Sequence, residues 1–272
     1  MNNEHVSMRE WIGTLPKRGR FSFSHQELAA TFPEKSPAAI KGTLARMSAS
    51  NTIQSVWRGY YAIVLPDYGL RGIIPPSEYI GQLMAYVGVD YYVALLSASL
   101  IHGAAHQMPQ TFQFMSNKVM HAKRMHGIHL EPVFKKHFPA NYLMEKNAKS
   151  GMIKVSSPEL TALDLMIYQD RAGGISNCAT VIGELAEWIN FEAVGTDIFD
   201  GIPVSAVQRL GFILGSVLGE KDSAGALRQK ANDAGLEFYR VPLMPRQGAY
   251  ERNQNVDTIW KIVLNYDVEA DL

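Results

Sequence analysis

The spacing of apolar positions changes several times along this chain, and the changes mark out two unequal parts. Val6, Trp11, Ile12 and Leu15 share one sector of a helix read over roughly 4–15, which Pro16 ends. Phe21 to Phe23 add a short strand. Ser24-His25-Gln26-Glu27 has the spacing of a capping box, so a short helix is predicted from His25 to about Phe32. After the turn at Glu34-Lys35, Ser36-Pro37 reads as an N-cap followed by proline at the first helical position. On the helix that follows, Ile40, Thr43, Leu44 and Met47 lie on one side, and Ala38, Lys41, Gly42, Ala45 and Arg46 on the other. Two β-rich runs, Thr52–Trp57 and Tyr60–Val64, then flank Arg58-Gly59, a pair suited to a tight hairpin turn.

A helix, a helix-turn-helix and a hairpin in that order predict a winged helix-turn-helix over residues 1–65. The Pro- and Gly-rich stretch 66–76 reads as a linker. Residues 77–272 read as helices near 77–87, 90–102, 157–170, 177–190, 204–218 and 222–234. Strands are expected at 111–115, 127–134, 142–146, 152–155, 237–243 and 258–266. Helices and strands do not alternate regularly, so the expected class is α+β rather than a doubly wound parallel sheet.

Charge sharpens this division. The chain is neutral overall, yet residues 1–65 hold eight Lys/Arg against four Glu, leaving the remaining 207 residues at −4. Positive charge gathered at one end is the electrostatic footprint of a nucleic-acid-binding module. The outer face of the second helix is small and basic at Lys41 and Arg46, as suits a helix approaching base edges with cations near phosphates, and Arg58 stands at the wing tip. A solvated face, or a winged helix used for protein contacts, is the competing reading. A second basic stretch lies in the body, with Lys118, Lys123, Arg124, Lys135 and Lys136 followed by Lys146 and Lys149.

The remaining chemistry is sparse. A single cysteine, Cys178, excludes an internal disulfide and a multi-cysteine metal site. The longest apolar stretch, Val93 to Ile101, falls short of a membrane span, and the N-terminus lacks the pattern of a secretory signal, so a cytoplasmic protein is expected. His102 and His106 have the spacing of a zinc-protease helix without its glutamate. His121, His126 and His129 lie among Lys118, Lys123 and Arg124, whose charge opposes a metal ion. Leu214-Gly215-Ser216 with Asp222 lacks the Asp-x-Asp pair of a nucleotidyltransferase site. Ser157-Pro158-Glu159 reads as a helix start, and Asp164 as a buried polar residue without an evident basic partner. Gly211, Gly215 and Gly219 repeat at helix-packing spacing. No metal, cofactor or catalytic residue is expected.

Certain segments carry a family resemblance. The run Tyr91-Tyr92-Val93-Ala94-Leu95-Leu96-Ser97-Ala98-Ser99-Leu100-Ile101-His102-Gly103, then Met108-Pro109-Gln110-Thr111-Phe112, then Val155-Ser156-Ser157-Pro158-Glu159-Leu160-Thr161-Ala162-Leu163-Asp164-Leu165-Met166, following a winged helix, resembles the AbiEi antitoxins of bacterial type IV toxin-antitoxin systems. The resemblance implies a transcriptional autorepressor of an abortive-infection operon that binds double-stranded operator repeats. It also implies a body, residues 77–272, that counters a nucleotidyltransferase-type toxin. By position, Lys35, Ser36, Lys41, Arg46 and Arg58 would contact DNA, with Lys118 to Arg124 as a second surface. Many members have a more basic recognition helix, so a dimer or cooperative binding on repeats is expected. A ligand-sensing winged-helix transcription factor is the alternative; a nuclease built from Glu237, Asp267 and Glu269 is a third reading.

Overall fold

The computed structural model describes residues 6–68, 74–104, 111–125, 127–245 and 255–271. Part of the expected linker, 69–73, lies outside them, as do Met108 to Gln110, His106, His126 and the first residues of the helix read over 4–15. The N-terminal part runs α1 (Met8–Thr14), β1 (Ser22–Ser24), α2 (His25–Thr31), α3 (Pro37–Ala49), β2 (Ile53–Trp57) and β3 (Tyr60–Ile63). Strand β3 lies between β1 and β2 and is antiparallel to both, which is winged helix-turn-helix connectivity.

Local chemistry explains these boundaries. α1 opens on a reciprocal capping box: Glu10 donates its amide to Ser7 Oγ at 3.2 Å, and Ser7 donates its own to Glu10 Oε2 at 2.8 Å. The box expected at Ser24 is only half formed. Ser24 Oγ accepts the Glu27 amide at 2.9 Å, but the Glu27 carboxylate turns to Arg20, which donates to its two oxygens at 2.6 and 2.8 Å. A bidentate, charge-assisted pair outweighs a return bond to one backbone amide. α3 starts where Ser36-Pro37 predicts, Ser36 Oγ accepting the Ala39 amide at 3.2 Å. Its inner residues Ile40, Leu44 and Met47 pack with Ile12, Leu15, Phe23 and Leu28.

The body is α+β. It contains α4 (Ile80–Val87), β4 (Tyr91–Val93), α5 (Leu95–Ile101), β5 (Thr111–Ser116), β6 (Lys123–Met125), β7 (Ile128–Phe134), β8 (Leu143–Ala148), β9 (Gly151–Ser156), α6 (Pro158–Ile167), α7 (Ile175–Leu185), α8 (Val204–Phe212) and α9 (Lys221–Asp233). One six-stranded sheet has the order β6-β7-β5-β4-β9-β8, with β5 parallel to β7 and β4 parallel to β9. The helix expected near 90–102 divides: Tyr91–Val93 is a central strand bonded to β5 and β9, and the helix begins at Leu95. The strands expected at 237–243 and 258–266 contract to β10 (Val241–Pro242), β11 (Val256–Asp257) and β12 (Ile262–Val263), which form a small separate sheet.

Two apolar clusters flank the main sheet. Helices α6, α7 and α8 build the larger one around Leu160, Leu163, Ile182 and Leu210. In the other, Val56, Tyr60 and Ala62 of the hairpin pack with Ile80, Leu83 and Met84 of α4 and with Val93, Phe114 and Val155 of the sheet. The hairpin therefore serves two cores, because Ile53 and Ile63 face the N-terminal cluster instead.

Three glycines show what the four-residue spacing does. A Cβ on Gly211 would overlap the Trp260 indole, a Cβ on Gly215 would stand 3.1 Å from the Ala224 Cβ of α9, and Gly219, at φ +76°, ends the segment. Only the middle one makes the helix contact read from the spacing. Gly211→Ala is expected to destabilise the protein by about 1–3 kcal/mol, the ordinary cost of overpacking, and urea unfolding would measure it.

Candidate functional site

The outward face of α3 presents Ala38, Lys41, Ala45 and Arg46 to solvent. Arg46 donates to Thr43 Oγ1 at 3.2 Å, which draws its guanidinium along the shoulder of the helix. Lys35 is exposed beside Glu34 at 3.7 Å, a surface pair of small energetic weight. Ser36, which the resemblance made a contact, has its hydroxyl oxygen engaged in capping α3. Arg58 is exposed at the hairpin tip, where Gly59 takes φ +71°. A cleft of about 690 Å³ runs between the first turn of α1 and α3, with Arg9, Lys35 and Arg46 on its walls.

The second basic stretch divides between surface and core. Lys123 on β6 lies over the Trp57 ring of the hairpin at 5.5 Å, and burial pulls its ammonium below its ordinary pKa. Arg124 and Lys136 are exposed, and Lys118 donates to the Gly88 carbonyl at 2.7 Å, just past α4. The surface reading of Lys135 is corrected. Its ammonium turns inward and donates to Asp164 Oδ1 at 2.6 Å, leaving the residue 8% exposed. An unpaired carboxylate on the buried helix α6 attracts it more strongly than solvent does.

Asp164 is fully buried and also accepts the Tyr92 hydroxyl at 2.9 Å, while the Lys135 ammonium lies 5.7 Å from the Tyr92 ring centroid. Burial raises the Asp164 carboxyl above its usual range, and Lys135 and Tyr92 oppose that rise. Burial, then the Asp164 charge, holds the Tyr92 phenol well above its ordinary value. The sequence signal for this centre was an aspartate in an apolar helix; its base stands 29 residues earlier.

A second link joins the same two sequence landmarks. His102 Nε2 and the Ser156 carbonyl are 2.7 Å apart, and the hydroxyls of Ser156 and Thr161 are 2.6 Å apart. Ser157 caps α6 and donates to Glu159 Oε2 at 2.8 Å, and Glu159 Oε1 accepts the Asn190 amide at 2.8 Å. The polar residues of the Ser-Ser-Pro-Glu-x-Thr stretch are thus spent on holding elements together. Burial pushes the Cys178 thiol up to about 12, the state of an inert core thiol. Among the described residues no three His, Cys, Asp or Glu side chains gather into a metal-holding group, and no helix is long and apolar enough to cross a membrane.

Residues 92–216 match the family model of the AbiEi antitoxin C-terminal domain. The match supports an AbiEi-type antitoxin. It supports an antitoxin role within a toxin-antitoxin system. The AbiEi match takes in both ends of the Tyr92–Asp164 and His102–Ser156 links, so the landmarks read separately along the chain are physical partners. No curated protein sequence matches the chain. Its fold is similar to that of the RV2827C protein from Mycobacterium tuberculosis, with a TM-score of 0.62 at 15% identity, over 93% of this chain and 89% of that one.

Two outcomes follow for the matched domain. Asp164→Ala strands a buried ammonium and should cost about 3–5 kcal/mol in chemical denaturation, with Asp164→Ala combined with Lys135→Met costing less than the single change. His102 behaves in the opposite sense to a histidine in an ion pair, because burial lowers its pKa from the ordinary 6.5. The unfolded chain therefore binds the proton first, and stability, complete above 6.5, declines as pH falls from there through the lowered folded value. Melting curves between pH 7 and pH 5 should show this decline, and His102→Gln should shrink it.

Proposed function

We propose that this chain is an antitoxin that also binds DNA, repressing its own operon through residues 1–65 while residues 77–272 counter a nucleotidyltransferase-type toxin. It works in the cytoplasm and is not an enzyme. The observation that carries the DNA assignment is the outward face of α3, small at Ala38 and Ala45 and cationic at Lys41 and Arg46, within winged helix-turn-helix connectivity. Small side chains let a helix approach base edges in a major groove, and flanking cations meet phosphates. Arg58 at the exposed hairpin tip has the reach for a phosphate or the adjacent minor groove. Lys35 lies at the turn into α3, and Lys118, Lys123, Arg124 and Lys136 extend the cationic surface from the hairpin onto the body. The toxin assignment rests on the AbiEi match of residues 92–216 and the family resemblance of the chain.

With few cations on α3, one copy gains limited affinity, so pairs of copies on operator repeats are the expected working form.

Point substitutions test this better than removal of residues 1–65, which would strip Val56, Tyr60 and Ala62 from α4 and expose an apolar face. Lys41→Ala with Arg46→Ala should weaken binding to the DNA upstream of the gene. If both residues neutralise phosphates, the slope of log K against log salt should fall by about 1.8. Unchanged affinity and slope in a folded variant would remove α3 as the reader.

A further inference from the structure

The hairpin bearing Arg58 is held in place from outside its own module. Tyr86, on α4 of the body, lays its ring against Tyr60 with centroids 4.9 Å apart and planes at 31°. Its hydroxyl reaches toward the Arg58 carbonyl at 3.5 Å and lies 3.1 Å from where a Cβ on Gly59 would stand. One turn earlier on α4, Gln82 Oε1 accepts the Ser22 hydroxyl at 2.6 Å, and Ser22 shares a 2.8 Å hydrogen bond with the Tyr60 phenol. From the other side, the His25 amide at the start of α2 donates to the Gly59 carbonyl at 2.7 Å. The two carbonyls of the turn are therefore approached from two directions, one by the reader's own α2 and one by the body.

An isolated two-stranded hairpin is marginal in water, and a binding tip that must be ordered on contact loses affinity to that ordering. The geometry points to Tyr86 as a positioning residue that fixes the direction of Arg58, so that the body helix α4, which presents no cation of its own, sets the aim of the DNA-reading hairpin. This rests on the DNA-binding function proposed above. Tyr86 acts chiefly through its ring, packed on Tyr60 beside the turn, because a hydroxyl–carbonyl approach of 3.5 Å lies at the limit of hydrogen bonding.

The test uses the full-length chain and the DNA upstream of its gene, with Tyr86→Ala, Tyr86→Phe, Arg58→Ala, Lys41→Ala and the Tyr86→Ala doubles. Tyr86→Ala should weaken binding about three- to tenfold, the scale of a lost aromatic pair, while Tyr86→Phe binds as the parent does. The loss should vanish when Arg58 is already alanine and persist when Lys41 is, which a general loss of stability would not produce. Full affinity in Tyr86→Ala, or a loss that adds equally to both partners, overturns the assignment. Amide hydrogen exchange gives a second reading independent of DNA. The His25 and β3 amides should exchange faster in Tyr86→Ala, and unchanged exchange also overturns it. Faster exchange in a protein whose parent shows no preference for the upstream DNA would leave the clamp standing and overturn its DNA role together with the DNA-binding function.

Discussion

A buried carboxylate organises the larger half of this molecule. Asp164 has no exposure to water, so its charge requires partners within the fold, and it draws two from the sheet on which α6 packs: Lys135 from just beyond β7 and Tyr92 from β4. Three distant stretches of sequence are thereby fixed at one point between the sheet and α6. Apolar contacts around Leu160 and Leu163 supply most of the burial, but they tolerate sliding. The hydrogen-bonded charge does not, because any register that separates the three groups leaves an ion alone in the core.

The AbiEi match and the two polar links describe the same object at different levels. Tyr92 with Asp164, and His102 with Ser156, join the segment around β4 and α5 to the start of α6. Both landmarks of the family therefore lie where the sheet meets its helices, and they account for the fold of the antitoxin domain rather than for a surface that touches a partner. The outward cations, by contrast, lie on α3, at the hairpin tip and along β6, away from these two links.

The legible parts of the fold were those with local causes. Ser36-Pro37 announced α3 through its cap, and the period of Ile40, Leu44 and Met47 gave its buried face. Arg58-Gly59 announced the hairpin because the turn needs a residue at positive φ. Tyr91 to Val93 read as helix because a strand buried on both faces has no alternation to show. Glu27 sat at capping spacing, yet Arg20 claimed its carboxylate; a spacing rule carries no information about competitors. Lys135 looked like one more cation in a basic stretch. Only the approach of α6 to the end of β7 distinguishes it from Lys136 beside it, and that approach is a property of the whole fold.

The hairpin's double burial has a consequence for inheritance. With Ile53 and Ile63 turned to one core and Val56, Tyr60 and Ala62 to the other, these strands cannot travel between proteins as a self-contained cassette. An exchange of the N-terminal module by recombination would have to carry α4 with it, or rebuild the face on which α4 rests. On the proposed DNA-binding function, a new operator preference is then reached more readily by substitutions on the outer face of α3, where Lys41 and Ala45 are exposed, than by importing a different N-terminal module.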